Sequence, residues 1–300
     1  MIKVAWRPEY ILPLPPQHRF PMEKYALIPE QLIYDGTLTP EHFFAPQAME
    51  EKHVLLTHTQ EYWNRLKSLN LTPQEVRKNG FPLSPELVER ELFINQGTLD
   101  CFRFAIESGV ALNVAGGTHH AYAHAGEGFC ILNDFACAFN VLLAEKKIKQ
   151  GLIIDLDVHQ GNGTAALFKG NSKVFTFSMH GENNYPLKKE ISDLDIPLPD
   201  QIQDAEYLKI LSSTLPTLMD RIKPDFIAYL AGADVLATDK LGRLGLSKQG
   251  CFERDYCVLS IAHKRNIPLA IAMGGGYSPE IKDIVNAHCN TFRIARDLWN

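Results

Sequence analysis

The chain has 300 residues, of which 45% are hydrophobic and 22% charged, and a formal net charge of −5. This composition is that of a globular protein, so we expect one domain over residues 1–300, and the acidic balance gives no reason to expect direct binding of nucleic acid. No signal peptide or long apolar run is visible, which predicts neither export nor a membrane span. The six cysteines form no C-x-x-C pair, and we expect reduced thiols in a cytoplasmic protein.

The N-terminal part, up to about residue 80, is the least regular part of the chain. Prolines within Leu12–Pro16 exclude a regular element there. The segment Asn70–Ser84 contains further prolines and a glycine, and we expect it to form an exposed loop. The patterns predict two strands and two helices in this part: strands near Lys3–Trp6 and Val54–Leu56, and helices near Glu23–Tyr34 and Gln60–Leu69.

Helix-like and strand-like segments alternate from Pro85 onward. The predicted helices are Pro85–Ser108, Leu132–Lys149, Asp204–Ile222, Lys248–Arg265 and a closing helix from Pro279. The predicted strands are Val110–Val114, Gly151–Asp157, Val174–Met179, Phe226–Leu230 and Leu269–Met273. This alternation predicts an α/β fold with a mostly parallel sheet and helices on both faces.

The most informative segment runs from Ile153 to Gly163 with the sequence IIDLDVHQGNG. Its aliphatic residues are typical of a buried strand, and Asp155, Asp157 and His159 alternate within it, so that they share one face. Charged groups in a buried strand are costly unless they are paired or bind a metal, and these donors suit a divalent ion such as zinc. The alternative for so short a motif is a solvated acidic turn.

Unusual polar or glycine-rich sequences follow the other predicted strands: Gly116-Gly117-Thr118-His119-His120, Ser178-Met179-His180, Ala231-Gly232-Ala233-Asp234 and Gly274-Gly275-Gly276-Tyr277. The carboxyl ends of parallel strands lie at one edge of a sheet, where ligands bind. Two carboxylates and one imidazole, from Asp157, His159 and Asp234, leave zinc an open coordination position, as a catalytic site requires. Such a zinc ion lowers the pKa of bound water and polarises a carbonyl.

The remaining polar side chains at this edge suit acid–base chemistry. His119 and His120 are adjacent, so one can act as a base while the other supplies charge. Asp155 and Asn162 are candidates to orient the two rings. Tyr277 follows three glycines and can donate a hydrogen bond to a developing oxyanion.

Five ordered motifs resemble those of the zinc-dependent histone deacetylase family over nearly the whole chain. They are Gly116-Gly117-Thr118-His119-His120-Ala121, Gly128-Phe129-Cys130 with Asn133-Asp134, Asp155 to Gly163, Ala231-Gly232-Ala233-Asp234 and Gly274-Gly275-Gly276-Tyr277. The Asp155–Gly163 motif and the segment Asp239–Ser247 are most similar to the class IV branch and its bacterial relatives.

The resemblance implies the arginase/deacetylase fold, a single α/β domain with an eight-stranded parallel sheet. It implies hydrolysis of an acetyl- or longer acyl-lysine in a protein, or of a small acylated amine. It implies that Asp157, His159 and Asp234 bind zinc. It also implies that His120 is the general base and then acid, that His119 is its electrostatic partner, backed by Asp155, and that Tyr277 polarises the carbonyl. It further implies an acyl-lysine tunnel walled by Gly128, Phe129 and Tyr185. A structural potassium ion would lie at Asp155, Asp157, His159, Ser178 and Met179.

One position departs from the class I pattern. Class I members usually have aspartate where this chain has Asn162. An amide cannot supply the negative charge that would raise the pKa of His120. It can still orient the imidazole ring, and other branches carry asparagine here, so this residue does not argue against activity.

Three alternatives remain open. A binuclear manganese ureohydrolase would need D-x-H-x-D and S-x-D-x-D motifs, but this chain has D-x-D-x-H and a single aspartate, Asp234, with Asp239 expected in the following loop. A non-catalytic acyl-lysine binder would be expected to lack a ligand, a histidine or the tyrosine. The chain could also be a deacetylase of a small acetylated amine, such as a polyamine, although no acidic gate for a polyamine is identifiable in the sequence.

Overall fold

The computed structural model describes residues 1–300 and has eight strands. They are β1 (Lys3–Ala5), β2 (Phe43–Phe44), β3 (Val110–Asn113), β4 (Gly151–Asp155), β5 (Val174–Gly181), β6 (Leu194–Leu198), β7 (Phe226–Leu230) and β8 (Leu269–Ala272). All of them join one sheet in the order β2-β1-β3-β8-β7-β4-β5-β6, and every neighbouring pair is parallel. The expected eight-stranded parallel sheet is therefore confirmed.

Ten α-helices cover this sheet. They are α1 (Lys24–Tyr34), α2 (Glu51–Val54), α3 (Gln60–Lys67), α4 (Pro73–Asn79), α5 (Pro85–Ser108), α6 (Asp134–Ala144), α7 (Asn162–Phe168), α8 (Asp204–Ile222), α9 (Lys248–Lys264) and α10 (Ile281–Trp299). Every residue of β3, β4, β7 and β8 is buried, so both faces of the central sheet are covered. None of the helices is long and apolar enough to cross a membrane, and all six cysteines are free thiols.

Helix α5 illustrates how local sequence sets the elements. Pro85 occupies its first turn, and the Ser84 hydroxyl accepts a hydrogen bond of 3.2 Å from the Leu87 amide. The helix ends at Gly109, whose φ of +89° is unfavourable for other residues. The indole of Trp299 lies against the Gly109 Cα, so a side chain there would also collide with α10.

The N-terminal predictions are partly wrong. The segment Val54–Leu56, expected as a strand, instead contains the last residue of helix α2 and its C-cap, because the Val54 and Leu55 amides bond to the carbonyls of Glu50 and Glu51. The second N-terminal strand is β2, a two-residue edge strand that pairs with β1. Burial of the Val54 side chain by the tertiary fold outweighs its β-propensity.

The segment Asn70–Ser84, expected as a loop, contains helix α4. Its proline, Pro73, begins the helix, and Thr72 and Glu75 form a capping box that satisfies its first amides. Strand β6 and helix α7 were also not expected. The predicted helix Leu132–Lys149 begins at Asp134 and ends at Ala144, whereas the bounds of the other correctly predicted elements agree to within two residues.

Candidate active site

The candidate site lies at the carboxyl ends of four adjacent strands, β3, β8, β7 and β4. The expected continuation of β4 to Asp157 is wrong, because the strand ends at Asp155 and the chain then bends. The His159 amide donates a hydrogen bond of 2.9 Å to the Asp157 carboxylate, and the Val158 amide donates one of 3.0 Å to the Asp234 carboxylate. The bend, rather than strand alternation, therefore brings Asp157 and His159 to the same point.

Asp157, His159 and Asp234, referred to below as the Asp–His–Asp cluster, form the only His/Cys/Asp/Glu group with metal-ligating geometry in the protein. One candidate ligand atom from each lies within 4.8 Å of the others, and all three residues are buried. The Asp234 Oδ2 atom is buried without a hydrogen-bond partner. Gly275 lies against both carboxylates, where a Cβ would collide with them. The cluster therefore has the donors and the space for a divalent cation.

The charges of the cluster also favour a cation. Burial and the neighbouring Asp157 carboxylate raise the pKa of Asp234 to about 7. Burial alone would lower the pKa of His159, but its hydrogen bond to Asp157 and the charges of the nearby Asp157 and Asp234 carboxylates raise it to about 10. Without a metal, protons therefore compensate the buried carboxylates, and a divalent ion can replace those protons.

The two histidines after β3 lie beside the cluster, with ring centroids 4.2 Å apart. The His119 Nδ1 atom is 2.7 Å from the Asp155 carboxylate, and the His120 Nδ1 atom is 2.6 Å from the Asn162 side-chain oxygen. Each ring thus contacts the residue expected to orient it. Asp155 is engaged by His119 and does not join the Asp–His–Asp cluster.

The environments of the two rings differ. Burial alone would lower the pKa of His119, but Asp155 and Asp157 raise it above its ordinary value. Burial and the neighbouring His119 and His159 lower the pKa of His120 well below its ordinary value. The pKa values of the two rings are thus shifted in opposite directions, as a base and an electrostatic partner require.

The glycine-rich turn after β8 places Tyr277 at the site. The Asp239 carboxylate accepts the Tyr277 amide at 2.6 Å, and also the amides of Leu241 and Gly242 at 2.8 Å. Burial, together with the Asp234 and Asp157 carboxylates, raises the pKa of Tyr277, so its hydroxyl remains a donor. Asp239 supports this turn and is not in the metal-ligating group, which favours one metal over the two of a ureohydrolase.

A cavity of about 560 Å³ leads from the surface to the site. Gly128, Phe129 and Tyr185, the residues expected in a substrate tunnel, all line it. Gly128 lies against the His120 ring, where a Cβ would be 2.6 Å from its Cδ2 atom. The Tyr185 ring lies 5.1 Å from the His120 ring.

Several lining residues were not expected from the sequence. Phe20 packs against the rings of Phe129 and Tyr277, with centroids 5.2 and 6.0 Å away. Arg90 and Ile94 of α5 line the buried part of the cavity. Three basic residues line it closer to the surface: Arg19, Lys78 and Arg243. No sequence motif could have identified these lining residues, because isolated aromatic, basic and aliphatic residues are common in any sequence.

Ser178 and Met179, expected at a potassium site, lie on β5 next to β4, where Ser178 pairs in register with Asp155. Two of the five residues named for potassium, Asp155 and Ser178, are therefore neighbours. The Ser178 hydroxyl bonds to the His180 imidazole at 2.9 Å, which is a contact between side chains. The potassium site, which would use backbone oxygens, stays a prediction.

The chain is similar to known proteins over most of its length. Residues 18–292 match the histone deacetylase domain. The chain is 42% identical to an uncharacterized protein of Picosynechococcus sp., with 99% of each chain covered. It is 30% identical to histone deacetylase 2 of Arabidopsis thaliana, covering 87% of this chain and 70% of that protein. It is 28% identical to the acetoin utilization protein AcuC of Staphylococcus aureus, covering 87% and 72%.

Solved structures share the fold. A crystal structure of an HDAC homolog complexed with SAHA superposes with a TM-score of 0.82 at 23% identity, covering 97% of this chain and 82% of that one. The HDA15 HD domain has a TM-score of 0.82 at 19% identity, covering 99% and 90%. At these identities the superpositions establish the architecture.

Proposed function

Because the chain belongs to the histone deacetylase family, whose members are amide hydrolases, we propose that it removes an acetyl or longer acyl group from the ε-amine of lysine with the help of zinc. The observation that carries this proposal is the position of the Asp–His–Asp cluster: two of its members, Asp157 and His159, line the same cavity as His119 and His120, whose pKa values are shifted in opposite directions. That arrangement suits hydrolysis of an amide held in the cavity.

Asp157, His159 and Asp234 would hold the zinc ion. Bound there, zinc would acidify a water molecule and polarise the substrate carbonyl. Structural potassium at the β4–β5 junction is part of the same proposal.

His120 acts as the base and then as the acid. Its ring is neutral because burial and two neighbouring imidazoles lower its pKa, so it can accept the proton of the attacking water as that O–H bond breaks. It returns the proton to the amine nitrogen as the amide C–N bond breaks, and ends the cycle neutral. His119 is the electrostatic partner: it contacts the Asp155 carboxylate, which together with Asp157 raises the pKa of this buried ring above its ordinary value.

Tyr277 stabilises the transition state. Its raised pKa keeps the hydroxyl protonated, so that it donates a hydrogen bond to the oxygen that gains negative charge. The Asp239 carboxylate holds its backbone amide, which limits movement of the ring. Phe129 and Phe20 present apolar edges to the aliphatic part of an acylated lysine.

A small acylated amine is the second candidate substrate; the similarity to AcuC of Staphylococcus aureus, whose name refers to the use of the small molecule acetoin, keeps a small-molecule substrate open. Of the basic side chains at the cavity rim, Lys78 and Arg243 pair with carboxylates, whereas Arg19 forms no ion pair, and its charge argues against a polyamine, which carries further positive charges. A non-catalytic binder is disfavoured because both histidines and the tyrosine lie at the site.

The test is turnover of acyl-lysine peptides, from acetyl to long-chain acyl, and of acetylated small amines, with and without a chelator. We expect chelator-sensitive hydrolysis of the peptides. Asp234→Asn is the matched inactive control, because it replaces a cluster carboxylate by an amide of the same size. Hydrolysis that persists in this variant, or no peptide hydrolysis by the zinc-loaded protein, contradicts the proposal.

A further inference from the structure

A buried acidic residue behind Asn162 has no role in the mechanism above. Asn162 bonds through its side-chain oxygen to His120, and its amide nitrogen lies 2.6 Å from Glu127 Oε1 and 2.9 Å from the Tyr122 hydroxyl. Glu127 belongs to the loop between β3 and α6 and is 3% exposed. It therefore connects to the proposed base through one intervening side chain.

Every side-chain contact of the Glu127 carboxylate is with a donor. Its Oε1 atom accepts the Asn162 amide and the Tyr185 hydroxyl, the latter at 2.7 Å. Its Oε2 atom pairs with the Lys78 ammonium group, which reaches it from the solvent side. A carboxylate with these three partners acts only as an acceptor.

This environment determines which way the Asn162 amide points. A carboxylate can only accept from it, so the NH2 group must face Glu127 and the oxygen must face His120. An oxygen facing His120 Nδ1 requires that nitrogen to carry the proton, which leaves Nε2 with its lone pair. Nε2 is the atom that must take the proton of the attacking water.

The other groups around the His120 ring do not determine which of its nitrogens carries the proton. Three titratable rings pack around the His120 ring, those of His119, His159 and Tyr185, with centroids 4.2, 5.9 and 5.1 Å away. The only hydrogen-bond partner of His120 Nδ1 is Asn162, so the tautomer depends on the orientation of that amide. An isolated asparagine can present either end.

We propose that Glu127 is a positioning residue, which holds the Asn162 amide in the orientation that keeps His120 in its Nδ1–H tautomer. The same carboxylate anchors the Tyr185 hydroxyl, so it couples the tunnel wall to the base. An aspartate at position 162 would place a negative charge next to the His120 ring; here the negative charge is on Glu127, and the Asn162 side chain lies between it and the ring. This inference rests on the proposed function, since it assigns the tautomer that the reaction needs.

The experiment compares Glu127→Gln with the double variant Glu127→Gln/Asn162→Asp. Glutamine can donate as well as accept, so it releases the Asn162 amide to turn. We expect kcat to fall about 10–100-fold with little change in KM, as for other residues that orient a catalytic ring. In the double variant, the introduced glutamine can donate to the introduced aspartate, which can only accept from His120, so most of the lost kcat should return. Glu190→Gln is the matched control, because Glu190 contacts Tyr122 but not Asn162.

Imidazole ¹H–¹⁵N NMR provides a readout that does not depend on turnover. We expect His120 to show the Nδ1–H tautomer in the wild type and in the double variant, and a tautomer mixture in Glu127→Gln. A Glu127→Gln protein with wild-type kcat and an unchanged tautomer overturns the inference, as does a double variant that recovers nothing. If the wild type hydrolyses no acyl-lysine peptide, the proposed function fails, while the tautomer comparison still decides the role of Glu127.

Discussion

The buried Nζ atom of Lys24 donates a hydrogen bond of 2.8 Å to the carbonyl of Gly274, across 250 positions of sequence. Gly274 is the first residue of the turn that carries Tyr277, so α1 holds the end of β8 in place. Burial lowers the pKa of Lys24 to about 8, which indicates that its charge is costly there. The contact therefore points to a role in positioning the turn rather than in overall stability.

Lys24→Met should reduce kcat about 10-fold or more while changing the free energy of unfolding little. Methionine leaves the Gly274 carbonyl unpaired, at a cost of about 1–3 kcal/mol, but it also removes a buried charge, and the two effects have opposite signs. Loss of the fixed turn displaces Tyr277. Steady-state kinetics and urea unfolding would measure both effects, with the exposed Lys282→Met as control. Unchanged kcat would contradict this role.

Zinc retention should weaken as the pH falls. The pKa of Asp234 is raised to about 7 and that of His159 to about 10, so protons compete with the metal for both groups. Zinc binding displaces one proton above pH 7, that of His159, and two below pH 7, those of His159 and Asp234. The apparent affinity for zinc should therefore fall by about 10-fold per pH unit for each displaced proton. Competition with a chromophoric chelator between pH 6 and 8 would measure it. Asp234→Asn should bind zinc more weakly and lose the steeper dependence below pH 7; equal affinity at both ends of the range would contradict the assignment.

Tyr277→Phe should retain the fold and zinc but lose about 10²–10³ in kcat, because it removes one donor to the developing oxyanion. KM should change much less, since this interaction strengthens mainly in the transition state. Kinetics of the zinc-loaded variant would test this, with the half-exposed Tyr256→Phe as control. Near-wild-type kcat would remove Tyr277 from the mechanism.

Acyl groups longer than acetyl should be accepted, because the lining of the cavity includes the deeply buried Arg90 and Ile94 of α5 as well as residues of the site. Ile94→Phe narrows the cavity at this helix. We expect turnover of long-chain acyl-lysine to fall about 10-fold or more while acetyl-lysine turnover is retained. Ile106→Phe, at a partly exposed position of the same helix, is the matched control. If the wild type hydrolyses acetyl-lysine alone, this prediction is wrong and the hydrolase proposal is unaffected.

Predictions from sequence succeeded where chemistry and periodicity coincide. The alternating pattern from Pro85 onward predicted the parallel sheet, and motifs after its strands named the residues that meet at its edge. The predictions from sequence failed in the N-terminal part, where Val54–Leu56 is apolar enough for a strand but lies at the end of helix α2. Local propensity is weaker than the burial that the rest of the fold imposes there.

The sequence by itself determined the sheet, the cluster Asp157, His159 and Asp234, and the paired histidines, because buried strands that end in charged residues carry a distinct pattern. Only the tertiary structure decided which side chains surround them. Lys24, Phe20 and Glu127 are ordinary residues in ordinary contexts, and their roles arise from contacts with Gly274, Phe129 and Asn162 far along the chain. Such contacts depend on how loops and helices pack around the edge of the sheet, and a pattern of neighbouring residues does not contain that information.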